Sequence, residues 1–502
     1  MNTRKRLAAM RRAGALPQVG LLVNPACVIG PDQRCEHPLV DRELNKHLYA
    51  YEQRVRGRFA VIVGTLKIIS AFQHELDFVS RAQTIAQDKL GYELPADLLG
   101  EAWVSGLNLR ALYSYCIFRS FKECIEKADA DQASWRGRMT LDIKFLRSCG
   151  YHTLDVSPCS DGRLQGLLPF VLRLVPDEAV YVKAHAGAMF DVEGDVADWA
   201  HRELERLTGG IPGGEDCNYL KVAVYHFSSS NPHQEGCAAH GSNDHKAVES
   251  ALGRLNELRA AIENTYGRGA APDILLIGVD TDIDTIRVHL PDADGDVNPY
   301  RYVDSGVVYN KTLNMTSDTV RQYIAEVIAK TECSEGWAQG NGRMSDGMRR
   351  LIQSFLEANL SQIEYVVQYH AGRYSVIGHN ERFICVGEAI SELQLRNKFY
   401  FAHLDTVEEG ATDIDVGIKI FTNLNIKHGL AEPVLIHFYY SSRVPGSRER
   451  AILRCRRVKA AIRARYAQLC AQGLIDCQIA VSDREGSERC TFIDDEIQEA
   501  VH

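Results

Sequence analysis

The stretch Asp273–Val279, reading DILLIGV, carries no polar side chain after its first residue. A strand with one wet face alternates, so a strand apolar on both faces must be covered on both. That is the condition of a central strand in a parallel α/β sheet. Neighbouring strands are expected at Leu154–Ser157, Ala179–Lys183 and Tyr219–Tyr225. Before Asp273, Val248, Ala251, Leu255, Leu258 and Ile262 share one face of a helix, with Ser242, Asn243 and Asp244 as capping candidates. Residues 148–390 therefore read as an α/β domain with a parallel core. In such sheets ligands bind beyond the carboxyl ends of the strands.

Upstream the period changes. Leu44, Leu48, Tyr51, Val55, Phe59 and Ile62 recur at three and four residues, as do Ile69, Phe72, Leu76 and Val79, and then Tyr113, Ile117, Phe121 and Cys124. These stripes predict an all-α domain over residues 38–147. Residues 1–37 hold Arg4, Lys5, Arg6, Arg11 and Arg12, then turn-formers, and read as a flexible basic arm without the apolar run of a signal peptide. The most apolar stretch, Phe59 to Phe72, contains Lys67 and falls short of the roughly 20 residues that span a bilayer, so no membrane segment is expected. A chain of 502 residues has room for several domains, and its net charge of −9 argues against nucleic acid as a partner. Fourteen cysteines without regular pairing read as reduced thiols in a cytosol.

The chemistry concentrates at strand ends. Directly after the first strand, Cys159, Asp161 and Arg163 form a C-x-D-x-R triplet, which sets an acid and a base beside any metal the thiolate binds. His226 ends the third strand, and Cys237 lies in the polar loop that follows. Cys159, His226 and Cys237 make a Cys₂His set, whose open fourth position suits a catalytic zinc. His240 stands three residues after Cys237 and is an alternative fourth ligand, or a replacement for His226. His185 and His233 are expected to be satisfied or surface groups. An H-x-E followed by P-C-x-x-C, the signal of zinc deaminases, is missing because no P-C-x-x-C occurs, and a G-x-G-x-x-G loop after a strand and a Walker A motif are missing as well. The Gly-rich Gly336–Gly347 has the wrong spacing for a dinucleotide loop.

On these residues the chain resembles the β-class carbonic anhydrases. It is closer to their carboxysome shell subfamily through DVSPCSDGRLQGLLPF, GCAAHGSND, DILLIGVDTDIDTIRVH, NPYRYVD and HLDTVEEGATDIDVGIKIF. The ten residues between His226 and Cys237, against two in ordinary β-class enzymes, are shared with that subfamily. The resemblance implies a multidomain chain with an all-α N-terminal domain, a β-carbonic-anhydrase-like α/β catalytic domain and a degenerate α/β repeat of it. It implies one zinc per chain on Cys159, His226 and Cys237, with zinc-hydroxide attack on carbon dioxide, Asp161 accepting the hydroxide proton and Arg163 holding Asp161. It also implies a homodimer or larger homo-oligomer inside a bacterial carboxysome in the cytoplasm, beside Rubisco and shell proteins. The basic arm is a candidate dock for Rubisco. Rival readings are hydrolysis of carbonyl sulfide or carbon disulfide at the same metal, and a scaffold protein with a structural zinc.

The repeat has its own signal. VAVYHFSSSNP at 222–232 parallels LIHFYYSSRVP at 435–445, which sets Tyr439 against His226 and leaves Cys237 without a counterpart. FAHLDTVEE at 401–409 is the expected counterpart of the C-x-D-x-R region, with His403 for Cys159, so residues 391–502 are expected to form a zinc-free pseudo-repeat. Arg454, Arg456, Arg457, Lys459, Arg463 and Arg465 make a regulatory sugar bisphosphate such as ribulose bisphosphate a further candidate ligand, against a solvated helix face.

Overall fold

The computed structural model describes residues 36–333, 343–375, 378–404, 406–486 and 488–493. The basic cluster at Arg4–Arg12 and most of the Gly-rich stretch lie outside these residues. A helical region comes first, then two α/β units, each built on a mixed sheet.

Helix α1 (Arg42–Ser70) is capped by Asp41, whose carboxylate accepts the Leu44 N–H, and its predicted stripe from Leu44 to Ile62 is buried. The second predicted stripe breaks. α1 stops at Ser70, the chain turns, and α2 (Phe78–Leu90) runs back against it, leaving Leu76 99% and Val79 42% exposed. The apolar spacing ran through a turn that Phe72 closes by meeting Phe78 edge-on at 5.8 Å. Helix α3 (Leu109–Glu126) completes the main packing of this region.

The first sheet contains β1 (Tyr151–Pro158), β2 (Val180–Val182), β3 (Asn218–Phe227), β4 (Asp273–Asp280), β5 (Ile286–Pro291) and β6 (Val297–Asp304). Their order is β2-β1-β3-β4-β5-β6. The first four are parallel, as their apolar runs require, and β5 and β6 are antiparallel. Helices α4 (Val192–Leu207) and α5 (Asp244–Tyr266) belong to this unit, and Asn243 caps α5 by accepting the Lys246 N–H. Helix α6 (Asp346–Tyr369) packs into the same core and ends against α1.

The second sheet contains β7 (Phe383–Gly387), β8 (Phe399–His403), β9 (Glu432–Tyr440), β10 (Ile475–Asp483) and β11 (Thr491–Ile493), so it begins upstream of residue 391. Alternation divides its cover. Phe383 and Cys385 face the helical region, where Phe59 and Phe121 meet Phe383, whereas Ile384 and Val386 face helices α7 (Val407–Leu424) and α8 (Ser447–Arg465).

The order β8-β7-β9-β10-β11, parallel up to an antiparallel last strand, repeats β2-β1-β3-β4-β5. Register gives the residue correspondence. Pro158 ends β1 opposite Val224, and Gly387 ends β7 opposite His437. Equating those pairs sets Tyr439 at His226, and Glu388, Ile390 and Glu392 at Cys159, Asp161 and Arg163. The 401–409 expectation is thereby corrected. His403 ends β8, the counterpart of β2, and the local likeness of one histidine-bearing strand end to another could not tell β7 from β8.

Between the helical region and α6 sits a buried carboxylate, Glu52. It accepts hydrogen bonds from the Tyr365 hydroxyl, from Arg56 at 2.6 Å and from His370 at 3.1 Å. Burial alone would raise this carboxyl, but His370, Arg56 and Tyr365 hold it down at about 2. Because folding lowers its pKa, the ionised group stabilises the fold above the unfolded value near 4.3, by roughly 3 kcal/mol, and that stability drains away as pH falls toward 2. Glu52→Gln is expected to lower the unfolding free energy by about this amount at pH 7 and to flatten its acid limb, read by denaturant titration at several pH values. No helix among the described residues is long and apolar enough to cross a membrane.

Candidate metal centre

The ends of β1 and β3 bring the predicted residues together. Cys159 follows β1 and its N–H donates to Val224 O at 3.1 Å, which locks it to β3, where His226 is the penultimate residue. Cys237 opens the short turn Ala238–His240 ahead of α5. Donor atoms of Cys159, His226 and Cys237 all lie within 4.8 Å of one another, and all three residues are buried. The two sulfurs are 3.8 Å apart, well beyond a disulfide. Two thiolates at 2.3 Å from a tetrahedral zinc would stand about 3.8 Å apart. His226 is fully buried, and both its ring nitrogens lack a hydrogen-bond partner. Contact with Cys237, and then burial, pushes the Cys159 thiol well up, while the same contact lowers Cys237. A second negative charge on this pair calls for a cation between the sulfurs. The donor set therefore fits zinc.

His240 takes another place. Its Nε2 lies 3.1 Å from Gly187 O, and Gly187 N–H donates to Cys159 Sγ at 3.3 Å. Gly187 has φ +69°, and a Cβ there would stand 2.5 Å from the His240 ring nitrogen. His240 thus braces the backbone donor to the Cys159 sulfur and lies outside the three-residue group. His233 is exposed, and His185 pairs with Asp413 at 3.3 Å.

The C-x-D-x-R spacing closes a two-pronged pair. Arg163 Nε donates to Asp161 Oδ1 at 2.9 Å and Nη2 to Oδ2 at 2.7 Å, while Nη1 reaches Glu235 O at 2.7 Å and Thr281 Oγ1 at 3.3 Å. Burial alone would raise the Asp161 carboxyl, but Arg163, with help from His379 and His226, holds it well below the usual carboxylate range. Asp161 is thus an acceptor beside the three candidate ligands, with Oδ2 3.5 Å from His226 Nε2.

Other groups at the centre carried no sequence signal. His379 lies 3.9 Å from Asp161 and 3.1 Å from Glu381, and these carboxylates hold it up at about 9 against burial, which lowers it. A small cavity of about 10 Å³, room for a molecule the size of water, opens beside Cys159 and Asp161. Ala186, Ala238 and Ala239 line it together with Tyr400, Val416 and Ile420 of the second unit.

In the second unit, Glu388 stands where register puts Cys159. Its carboxylate accepts the Tyr439 N–H at 2.6 Å and pairs with Arg484 at 3.1 Å, and His437 spans Glu388 O and Ser482 Oγ. The corresponding strand ends are filled by protein groups. The basic side chains of α8 do not converge. Helical spacing sets Arg456, Lys459 and Arg463 on one face and Arg454, Arg457 and Arg465 on another. Arg454 is tied to Leu404 O over the Phe438 ring, and Arg465 pairs with Asp415.

Comparison with known proteins gives three consecutive matches to family models of the carboxysome shell carbonic anhydrase: the N-terminal domain at residues 37–129, the catalytic domain at 141–379 and the C-terminal domain at 380–497. A carboxysome shell carbonic anhydrase of Halothiobacillus neapolitanus is 48% identical over 466 residues, covering 92% of this chain and 91% of the relative. The chain belongs to the carboxysome shell carbonic anhydrase family. Carboxysome shell carbonic anhydrases of Prochlorococcus marinus strain MIT 9313 and Parasynechococcus marenigrum are 44% and 45% identical, covering 93% and 89% of this chain and 90% and 77% of the relatives. As a member of this family the chain is a carbonic anhydrase. The candidate metal centre falls within the catalytic-domain match, and Glu381, Tyr400, Val416 and Ile420 reach it from the C-terminal match.

Proposed function

We propose that this carbonic anhydrase interconverts bicarbonate and carbon dioxide at one zinc per chain held by Cys159, His226 and Cys237. The observation that carries the reading is the buried Cys₂His group beside a small apolar cavity, with an ion-paired carboxylate at its edge. When bound, zinc supplies a Lewis acid that makes water a nucleophile near neutral pH.

The chain's residues do the rest. The alanines, Val416 and Ile420 give an uncharged linear substrate an apolar approach to the site and keep bulk water out. Asp161 accepts a hydrogen bond from the attacking water and turns its lone pair toward the cavity. Arg163 fixes Asp161 by its two-pronged contact and keeps the carboxylate from taking the metal itself. In this reading the domain relationship is that of two β-carbonic-anhydrase-like units fused in one chain, the second metal-free because Glu388 and Tyr439 replace two ligands. A structural-zinc scaffold would need a fourth protein ligand, and the engagement of His240 with Gly187 speaks against it.

The setting we propose is the carboxysome interior of a bacterium, with the enzyme as a homo-oligomer among shell proteins, delivering carbon dioxide to Rubisco. The basic arm at Arg4–Arg12 is then a dock for Rubisco, and binding that survives removal of residues 1–30 would reject it. A sugar bisphosphate regulator is left out of the reading, because the α8 cations are divided between two faces.

The test is metal analysis together with hydration assays on carbon dioxide and carbonyl sulfide. One zinc per chain with fast carbon dioxide turnover and slow carbonyl sulfide turnover is the expected result. The reverse preference would make the chain a carbonyl sulfide hydrolase, and zinc with no turnover of either would leave a structural site.

A further inference from the structure

We propose that Glu381, which lies between the catalytic domain and β7, is a positioning residue that clamps the Asp161–Arg163 turn and so fixes how close Asp161 comes to the metal. The inference rests on the zinc reading above.

Glu381 is fully buried, and its Oε1 accepts the Gly162 N–H at 3.1 Å. A Cβ on Gly162 would lie 2.4 Å from Glu381 Cγ, so the glycine at the centre of the C-x-D-x-R triplet leaves the room that Glu381 fills. The other side of the same residue is held from the same part of the chain, since Asn397 N–H donates to Gly162 O at 2.6 Å. Both backbone polar groups between Asp161 and Arg163 are thus gripped by residues beyond 380. Glu381 Oε1 also lies 3.1 Å from His379 Nδ1, which sets that ring 3.9 Å from Asp161 Oδ2, the oxygen that Arg163 Nη2 also holds.

A carboxylate beside a divalent cation is itself a good ligand for it, so an enzyme that keeps a coordination position for water must hold that carboxylate back. Arg163 does so through the side chain. Glu381 does so through the backbone that carries it.

The experiment compares zinc-loaded full-length Glu381→Asp and Glu381→Gln with wild type by metal content, kcat and KM for carbon dioxide, and the visible absorption of the cobalt-substituted forms. Aspartate keeps the charge but withdraws it from Gly162, whereas glutamine keeps an accepting oxygen at the same reach. Glu381→Asp is expected to keep one metal per chain, to lose about 10- to 100-fold in kcat with KM within about twofold, and to show a cobalt spectrum altered by carboxylate entry. Glu381→Gln is expected to keep about a third or more of wild-type kcat. Wild-type kcat in Glu381→Asp overturns the proposal. Equal impairment of Glu381→Gln overturns it in favour of charge, and failure of both variants to fold makes Glu381 a core residue and overturns it as well. A wild-type protein without zinc would reject the zinc reading instead.

Discussion

Cys159→Ser is expected to give a folded chain that holds no stoichiometric zinc and hydrates carbon dioxide at the background rate. The sulfur sits at the end of β1 with a second sulfur 3.8 Å away and a backbone N–H aimed at it from Gly187. A serine hydroxyl at this place is neutral, harder and too short to reproduce a 2.3 Å thiolate bond, so the site drops to two ligands. Folding survives because the first sheet is held by one large apolar cluster that runs from β1 through β4 into α5 and α6. Zinc-to-chain ratio by mass spectrometry, with circular dichroism on the same sample, reads the outcome. Retained zinc at one per chain would remove Cys159 from the ligand set.

Arg163→Ala is expected to separate metal from activity: zinc stays at one per chain while kcat falls about 100-fold. Arg163 is buried and supplies both side-chain prongs to Asp161, so its loss leaves a buried carboxylate with the backbone N–H of residue 163, His379 and His226 as its remaining support. Removing one partner of a buried pair costs about 3–5 kcal/mol, and a drop in Tm is expected alongside. Stability then also turns against pH. In wild type the lowered carboxyl favours folding at every pH above its unfolded value, and without Arg163 that advantage shrinks or reverses. Hydration kinetics and metal analysis on one preparation decide the matter, and full activity would refute the pairing of Asp161 with Arg163.

Much of this centre was legible because its residues lie at strand ends that announce themselves. The apolar runs at 154–157, 219–225 and 273–279 fall within β1, β3 and β4, and the three donors beside them meet. Local periodicity failed where geometry was decided by distant packing. The stripe through Leu76 and Val79 kept helical spacing across a turn that exists because α2 folds back on α1. His403 resembled a ligand position because it also ends a parallel strand, and only the pairing of β7 with β9 shows which strand end corresponds to Cys159. His379, Glu381 and Tyr400 stand more than two hundred residues after Asp161 in no recognisable motif, and the sheets alone bring them back to it.

The cavity lining supplied by Tyr400, Val416 and Ile420 belongs to the same polypeptide as Cys159, His226 and Cys237. In an assembly of separate subunits such a lining would be lent by a neighbour and lost on dilution. Here the linkage keeps it at a high effective concentration whatever the amount of protein present. Closure of this pocket therefore does not wait on an encounter between chains.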